Sequence, residues 1–281
     1  MLARLATGGW RGSTVDKEIT DTIRHEHDAG EDAGKYLKNL LPASATKEVR
    51  AIRRDVRDYH LDVTLPWQDT WRLLPVAQYE AYKAKMGEFE AKLVTARTEL
   101  ARNLPQYIRD AKAELGTMFN PNDYPTPEEM ATRWTLDIEF AQVPDVKHFI
   151  ADVAEEERAE IQANIQAQLE RRISGTVTDL YQRIAEVIDW IAESLGKEKF
   201  SSALYKKVQE ICELVPALNV TQDADLSAIV VRLRSVFQGI DPAQLRGRAK
   251  TFDAGKQQEV STAISDLRAK MAGYVAQPEG E

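Results

Sequence analysis

Residues 161–195 read IQANIQAQLERRISGTVTDLYQRIAEVIDWIAESL. Apolar residues recur in this stretch at intervals of three or four, which is the pattern of one face of a long helix. They are Ile161, Ile165, Leu169, Ile173, Val177, Leu180, Ile184, Ile188, Ile191 and Leu195. The mean step of about 3.8 residues exceeds the heptad value and predicts a nearly straight helix rather than a supercoil. Extended back to residue 151, the helix would be about 65 Å long. We therefore expect part of it to extend beyond a compact core or to contact another subunit.

A second long helix is predicted over residues 76–115. Its apolar positions step by four and three in turn, as in a coiled-coil seam. They are Tyr82, Met86, Phe89, Leu93, Ala96 and Leu100. Pro105 is expected to kink or restart this helix. We predict that the two long helices form an antiparallel hairpin.

Residues 135–143 alternate between apolar and polar side chains and give the one clear strand pattern of the chain. A strand needs a hydrogen-bonding partner, and residues 2–8 are the candidate. The fold class we predict is mainly α, with a long antiparallel helical hairpin, shorter packed helices and one small β element.

The predicted organisation along the chain has four consecutive segments. Residues 1–75 form an N-terminal helical segment that ends in a connector rich in tryptophan and proline. Residues 76–200 form the hairpin with the β element, residues 201–275 a C-terminal helical bundle, and residues 276–281 a flexible tail.

The composition is that of a globular chain. Of the 281 residues, 43% are hydrophobic and 29% are charged, and the net charge is -8. Most of the excess acidity lies between residues 123 and 170. The single cysteine, Cys212, excludes an internal disulfide. No apolar run has the length of a membrane span, and the N-terminus lacks a signal-peptide pattern, so we expect a cytoplasmic protein.

No known catalytic motif is present. The sequence has no nucleophile elbow, P-loop or dinucleotide fingerprint. His25 and His27 are two residues apart, so a helix would point them in nearly opposite directions and one metal could not easily bind both. We therefore expect a non-enzymatic protein without metal or cofactor.

The helix predicted over residues 46–60 carries the best binding signal. Its basic residues recur on the side away from Val49, Ile52 and Val56. They are Lys47, Arg50, Arg53, Arg54 and Arg57. Guanidinium groups in a row can bind phosphates or an acidic partner surface. Three interpretations stay open: a nucleic-acid site, a surface for an acidic partner, and an ionic surface helix that the acidic segment of the same chain neutralises.

Trp67 and Trp71 lie between Pro66 and Pro75 in the connector. Tryptophans in such a setting either pack into a core or anchor a protein partner, and the sequence leaves both roles open. If the basic helix lay close by, they could also stack on single-stranded nucleic acid.

Several motifs of the N-terminal half have a distinctive order and spacing. They are the runs at residues 39–42, 59–60, 64–67 and 72–75, then Tyr79, and the runs at residues 115–116 and 119–125. Together they resemble a family of bacteriophage, prophage and plasmid proteins that has no assigned activity. The resemblance covers residues 2 to about 240. It implies a phage-related protein in the host cytosol, and it brings AAA+ ATPases of the MoxR type and von Willebrand-type proteins in as candidate partners.

The leading hypothesis is a phage-related helical assembly or adaptor protein, a homo-oligomer or a binder of another protein. The alternative is a nucleic-acid-binding accessory protein for replication, recombination or defence evasion. A third hypothesis is that the acidic segment mimics DNA and inhibits a DNA-binding enzyme.

Overall fold

The computed structural model describes residues 1–144, 155–247 and 249–275, and these are mainly helical, as predicted. The helices of these residues are α1 (Lys17–Glu26), α2 (Lys47–Val63), α3 (Tyr79–Leu115), α4 (Pro127–Thr132), α5 (Glu155–Gly196), α6 (Ser202–Leu218), α7 (Ala224–Phe237) and α8 (Ala254–Val275). The strands are β1 (Leu2–Thr7), β2 (Ser13–Val15), β3 (Leu37–Asn39), β4 (Leu65–Gln68), β5 (Trp71–Leu73) and β6 (Leu136–Ala141). The predicted start of the longest helix, at residue 151, lies outside the described residues.

Four strands form one sheet in the order β4-β5-β1-β6, and β2 pairs with β3 separately. The predicted association of residues 2–8 with the strand at 135–143 is confirmed, since β1 lies beside β6 and the Gly8 N–H donates to the Thr135 carbonyl at 3.1 Å. Strands β2 to β5 were not predicted.

The tryptophan-proline connector is a β-hairpin. Its strands β4 and β5 are antiparallel, with Leu65 opposite Leu73 and an irregularity between Pro66 and Gln68. Asp69 turns the chain between them with a positive φ of 50°. Because β4 is an edge strand, Pro66 does not interrupt a hydrogen-bonded ladder on both sides. The prolines made this stretch read as an irregular connector, and the sequence pattern did not indicate the hairpin.

The chain divides into two compact units, and both are assembled from separated stretches rather than from the consecutive segments we predicted. Unit 1 comprises Met1–Arg4, Leu61–Tyr79 and Phe140–Glu281. Unit 2 comprises Leu5–His60 and Glu80–Glu139.

The core of unit 1 is built on the C-terminal half of α5. This helix packs most extensively against α8, and the two run antiparallel. Tyr181 stacks on Tyr274 with ring centroids 4.6 Å apart, whereas Gln257 donates a hydrogen bond to the Leu195 carbonyl at 3.1 Å. Leu180, Ile184, Ile188, Ile191 and Leu195 are all buried, as their spacing predicted.

All of α3 except Tyr79 belongs to unit 2, whereas α5 belongs to unit 1, so the pairing of these two helices stays a prediction. Apolar periodicity identifies the buried face of a helix but not the element that covers it. The long antiparallel helix pair exists in unit 1, with α8 as the second member.

Unit 2 is organised around α2 and α3. The predicted seam of α3 is buried at all six positions. Tyr59 of α2 lies 6.0 Å from the Tyr82 ring and 5.9 Å from the Phe89 ring, and His60 Nδ1 is 2.8 Å from the Tyr82 hydroxyl. Helix α3 continues through Pro105, which was expected to kink or restart it.

Candidate functional site

The basic residues of α2 do not form one uniform surface. Lys47, Arg50, Arg54 and Arg57 are exposed, whereas Arg53 is half-buried. The Arg53 guanidinium donates to the Thr7 carbonyl at 3.3 Å and to the Thr7 hydroxyl at 3.1 Å, and it lies 5.4 Å from the Trp134 ring centroid. Arg53 therefore holds the end of β1 within unit 2 rather than facing a ligand.

The backbone at Gly9 passes close to Arg53 and Trp134, in keeping with this structural role of Arg53. A Cβ atom at Gly9 would lie 2.7 Å from Arg53 Nη1 and 2.8 Å from the Trp134 ring. Only a glycine therefore lets the chain after β1 pass this close to the stacked pair.

Two of the exposed arginines also have partners in unit 2. Arg50 donates to the Arg11 carbonyl at 2.6 Å, and Arg54 contacts the Asp55 carboxylate at 3.2 Å. The side chains of Lys47 and Arg57 make no hydrogen bond or ion pair to any described residue. Acidic residues interrupt this basic surface, because Glu48, Asp55 and Asp58 are exposed on the same helix.

Trp67 and Trp71 are half-buried against the core of unit 1. Arg172 lies 5.7 Å from the Trp67 ring centroid, and Arg4 lies 5.1 Å from that of Trp71. Each ring thus has one side on the core and a guanidinium on a face, an arrangement that stabilises the hairpin. These contacts favour the packing role over the partner anchor.

The exposed tryptophan of unit 1 is Trp190 on α5, which our sequence analysis did not single out. Its exposed fraction is 57%. The sequence does contain a signal for it, because Ile184, Ile188 and Ile191 define the buried face and residue 190 falls outside that face.

A buried ion cluster in unit 2 was also missed. The Lys38 ammonium on β3 lies 3.2 Å from the Asp16 carboxylate and 2.8 Å from the Asp123 carboxylate, and it donates to the Met118 carbonyl at 2.8 Å. Burial alone would lower the pKa of Lys38, but the two carboxylates outweigh it and raise that pKa. Two carboxylates and one carbonyl lie within 3.2 Å of the ammonium, so the cluster fixes β3 to the loop after α3. Periodicity could not reveal it because its residues are far apart in the sequence.

A further surface is the N-terminal half of α5. Ile161, Ile165, Leu169 and Ile173, which we call the α5 stripe, are half-buried. None of the four belongs to the hydrophobic core of the described part of unit 1, in which the residues of α5 begin at Val177. The elements that pack extensively on α5 are α8, β4 and α6. The side-chain contacts described above for α8 and β4 involve α5 residues from Arg172 onward.

The side chains that could ligate a metal do not converge in the described part of the chain. No three His, Cys, Asp or Glu side chains among them lie close enough to hold a metal ion. His25 and His27 are exposed at the end of α1. Cys212 is buried on α6, and burial raises the pKa of its thiol. Within the described ranges, no helix has the length and apolar character needed to cross a membrane.

Comparisons with protein-family models, with curated proteins and with solved structures find no match to this chain. The resemblance to phage and plasmid proteins therefore stays a prediction from the motifs.

Proposed function

We propose that this protein is a non-enzymatic helical assembly or adaptor protein that acts through protein–protein contacts made by the N-terminal half of α5. The observation that carries the proposal is the α5 stripe, a continuous apolar row outside the core of its unit. A helical segment of this length is only marginally stable in water without tertiary packing. Covering the stripe with a partner would stabilise the helix and bury apolar surface at the same time.

The nucleic-acid alternative is favoured by one observation, the exposure of Lys47, Arg54 and Arg57 on one helix. Two features count against it. Arg50 and Arg53 are engaged in contacts within unit 2, and three acidic side chains of α2 offset the remaining charge. A surface of mixed sign holds phosphates weakly because every neighbouring carboxylate repels them.

The third hypothesis, a DNA mimic, rests on the acidic segment around residues 152–160. Residues 152–154 and the side chains of Glu155 and Glu156 lie outside the described part of the structure. The described residues of this segment supply no observation in favour of the hypothesis, and we place it third.

The biological setting belongs to the same proposal. The motif resemblance supports a phage-related protein in the bacterial cytosol. The candidate partners are then a second copy of the chain or another protein, with an AAA+ ATPase among the latter.

Native mass spectrometry of the full chain and of an Ile165→Glu variant tests the proposal, together with fluorescence anisotropy of labelled single- and double-stranded DNA and RNA. We expect the wild type to form defined protein complexes, with itself or with a co-purified protein, and the variant to lose them. Val231→Glu is the matched control, since Val231 is 65% exposed on α7.

The opposite outcome is a wild type that stays monomeric and without a protein partner, yet binds nucleic acid with an affinity that falls steeply with salt. That result would overturn the adaptor proposal. The next variants would then be Lys47→Ala, Arg54→Ala and Arg57→Ala.

A further inference from the structure

Two loops of unit 1 concentrate basic residues in a chain that is acidic overall. Residues 197–199 lie between α5 and α6, and residues 246–250 lie between α7 and α8. Together they contain five basic residues and one acidic residue, whereas the net charge of the whole chain is -8. Arg248 lies outside the described residues, and the other four basic residues are exposed: Lys197, Lys199, Arg246 and Lys250.

The two loops are in contact with each other. The Gly247 N–H donates to the Glu198 carbonyl at 3.2 Å. A Cβ atom at Gly247 would lie 2.7 Å from the Glu198 Cβ, so the two backbones approach closely. Lys199 directly follows Glu198, and Arg246 directly precedes Gly247. These two cations therefore lie on one local surface, although 46 residues separate them along the chain.

Buried residues hold both loops on the core of unit 1. Phe200 and Leu245, one beside each loop, are both 0% exposed. A turn at Arg246, closed by a 2.9 Å hydrogen bond from the backbone N–H of residue 249, keeps Lys250 close to it. The backbone that carries these cations is therefore fixed, while their side chains extend into solvent.

Three of the cations have no anionic partner in the part of the chain that the structure describes. The side chains of Lys199, Arg246 and Lys250 make no hydrogen bond or ion pair there, whereas Lys197 pairs with Glu193 on α5. Glu198 is exposed beside them and offsets one charge. Like charges held close together repel, and an anion bound among them relieves that repulsion.

The other carboxylates near these cations cap helical turns. Asp241 accepts the Ala243 N–H at 2.9 Å, and Asp253 accepts the Gly255 N–H at 3.0 Å. They lie at the two ends of the loop rather than between its basic residues. This arrangement differs from that of α2, in which three carboxylates alternate with the basic residues along one helix.

The same surface lacks an apolar centre. Phe200 and Leu245, the large apolar side chains next to the cations, are both buried. A stable protein interface has an apolar core, whereas phosphate groups bind exposed cations without one. The chemistry of this surface therefore suits a chain of phosphates better than a folded protein partner.

We propose that Lys199, Arg246 and Lys250 form a binding surface for the phosphate backbone of nucleic acid. This activity of unit 1 goes beyond the proposed function and does not depend on it. Contacts of this kind reach phosphates and not base edges, so binding is independent of base sequence.

Fluorescence anisotropy of the full chain with labelled DNA duplexes of two unrelated sequences tests the proposal. Three phosphate contacts should make the affinity about fortyfold weaker at about 200 mM salt than at about 50 mM, equally for both sequences. The triple variant Lys199→Gln, Arg246→Gln and Lys250→Gln should bind at least about tenfold more weakly than the wild type at the lower salt concentration.

The matched control removes the same charge from α2. Lys47→Gln, Arg54→Gln and Arg57→Gln in one chain should leave the affinity within about twofold of the wild type, because the phosphates do not contact that helix. Circular dichroism of each variant checks that the helix content is retained. Ile165→Glu, which tests the proposed function, should leave duplex binding unchanged.

Three results would overturn the inference. One is a wild type that does not bind either duplex at the lower salt concentration. Another is an equal loss of affinity in the two triple variants, which would show that net charge and not this surface controls binding. The third is a protein complex that the loop variant loses while no duplex binds, since that outcome assigns the surface to an acidic protein. Each leaves the contacts proposed for α5 standing.

Discussion

Lys38 shows how much of unit 2 depends on one side chain. The exposed fraction of its side chain is 5%, and two carboxylates and a carbonyl surround its ammonium. A charge in such a place is tolerated only when its partners compensate for the lost hydration. Removing the ammonium leaves those partners without their donor.

Lys38→Met should therefore destabilise the protein by about 2 kcal/mol or more, because Asp16 and Asp123 lose their shared cation while the volume is conserved. Urea unfolding followed by circular dichroism measures the change. Lys35→Met is the control, since Lys35 is exposed on the same stretch of chain. Equal stability of the two variants would contradict the role assigned to the cluster.

The Asp16 carboxyl should make the free energy of unfolding depend on pH in the acid range. The Ile19 N–H and then the Lys38 ammonium hold the pKa of this carboxyl below its ordinary value, although partial burial opposes them. A lowered pKa in the folded state contributes stability above about pH 4, and that contribution disappears as the pH falls through the folded-state pKa. Between about pH 6 and pH 3, a range that spans this titration, the free energy of unfolding of the wild type should fall by more than that of Asp16→Asn. Parallel pH profiles would refute this assignment.

The arginines of α2 should separate into structural and surface residues. Arg53→Ala removes two hydrogen bonds to Thr7 and the contact with Trp134, and it should cost about 1–3 kcal/mol. Arg57→Ala should stay within about 0.5 kcal/mol of the wild type. Thermal and urea unfolding of both variants measures the difference. The sequence placed both arginines on one helix side, but it could not reveal Thr7 and Trp134 as the partners of Arg53, since both are distant along the chain.

At the scale of elements, the buried faces of helices were predictable and their partners were not. The seam residues of α3 and the C-terminal stripe of α5 are buried because their periods match a helix surface. The β4–β5 hairpin escaped prediction because Pro66 and Pro75 suggested an irregular connector. The pairing of α5 with α8 depends on contacts between distant segments, which no local pattern encodes.

Gly175 lies inside α5, and its surroundings indicate how to strengthen this helix. No heavy atom lies within 4 Å of the position that a Cβ would occupy there. Gly175→Ala should therefore stabilise the helix by about 0.5–1 kcal/mol, because alanine loses less backbone entropy on folding.

Gly247→Ala is the contrasting variant, since its Cβ would lie 2.7 Å from the Glu198 Cβ and should destabilise unit 1. Thermal unfolding of both variants gives the comparison. A destabilising effect of Gly175→Ala would mean that α5 is not a regular helix at this position.

At the scale of the whole molecule, the described residues of unit 1 combine a well-packed core with a helix segment that they leave only half-buried. Length alone indicated this from the sequence, since a helix of some 40 residues exceeds the size of a small core. The motifs indicated no mechanism, and the α5 stripe stands out only once the α5 residues of the described core are known to begin at Val177.

The central claim is that residues 157–173 of α5 are covered by assembly, and hydrogen–deuterium exchange of the full chain at increasing concentration tests it most directly. Amides of this segment should become more protected from exchange as the concentration rises, while amides of α7 stay unchanged and the segment in the Ile165→Glu variant does not respond. Exchange in residues 157–173 that is independent of concentration, alongside protection that develops elsewhere, would contradict it.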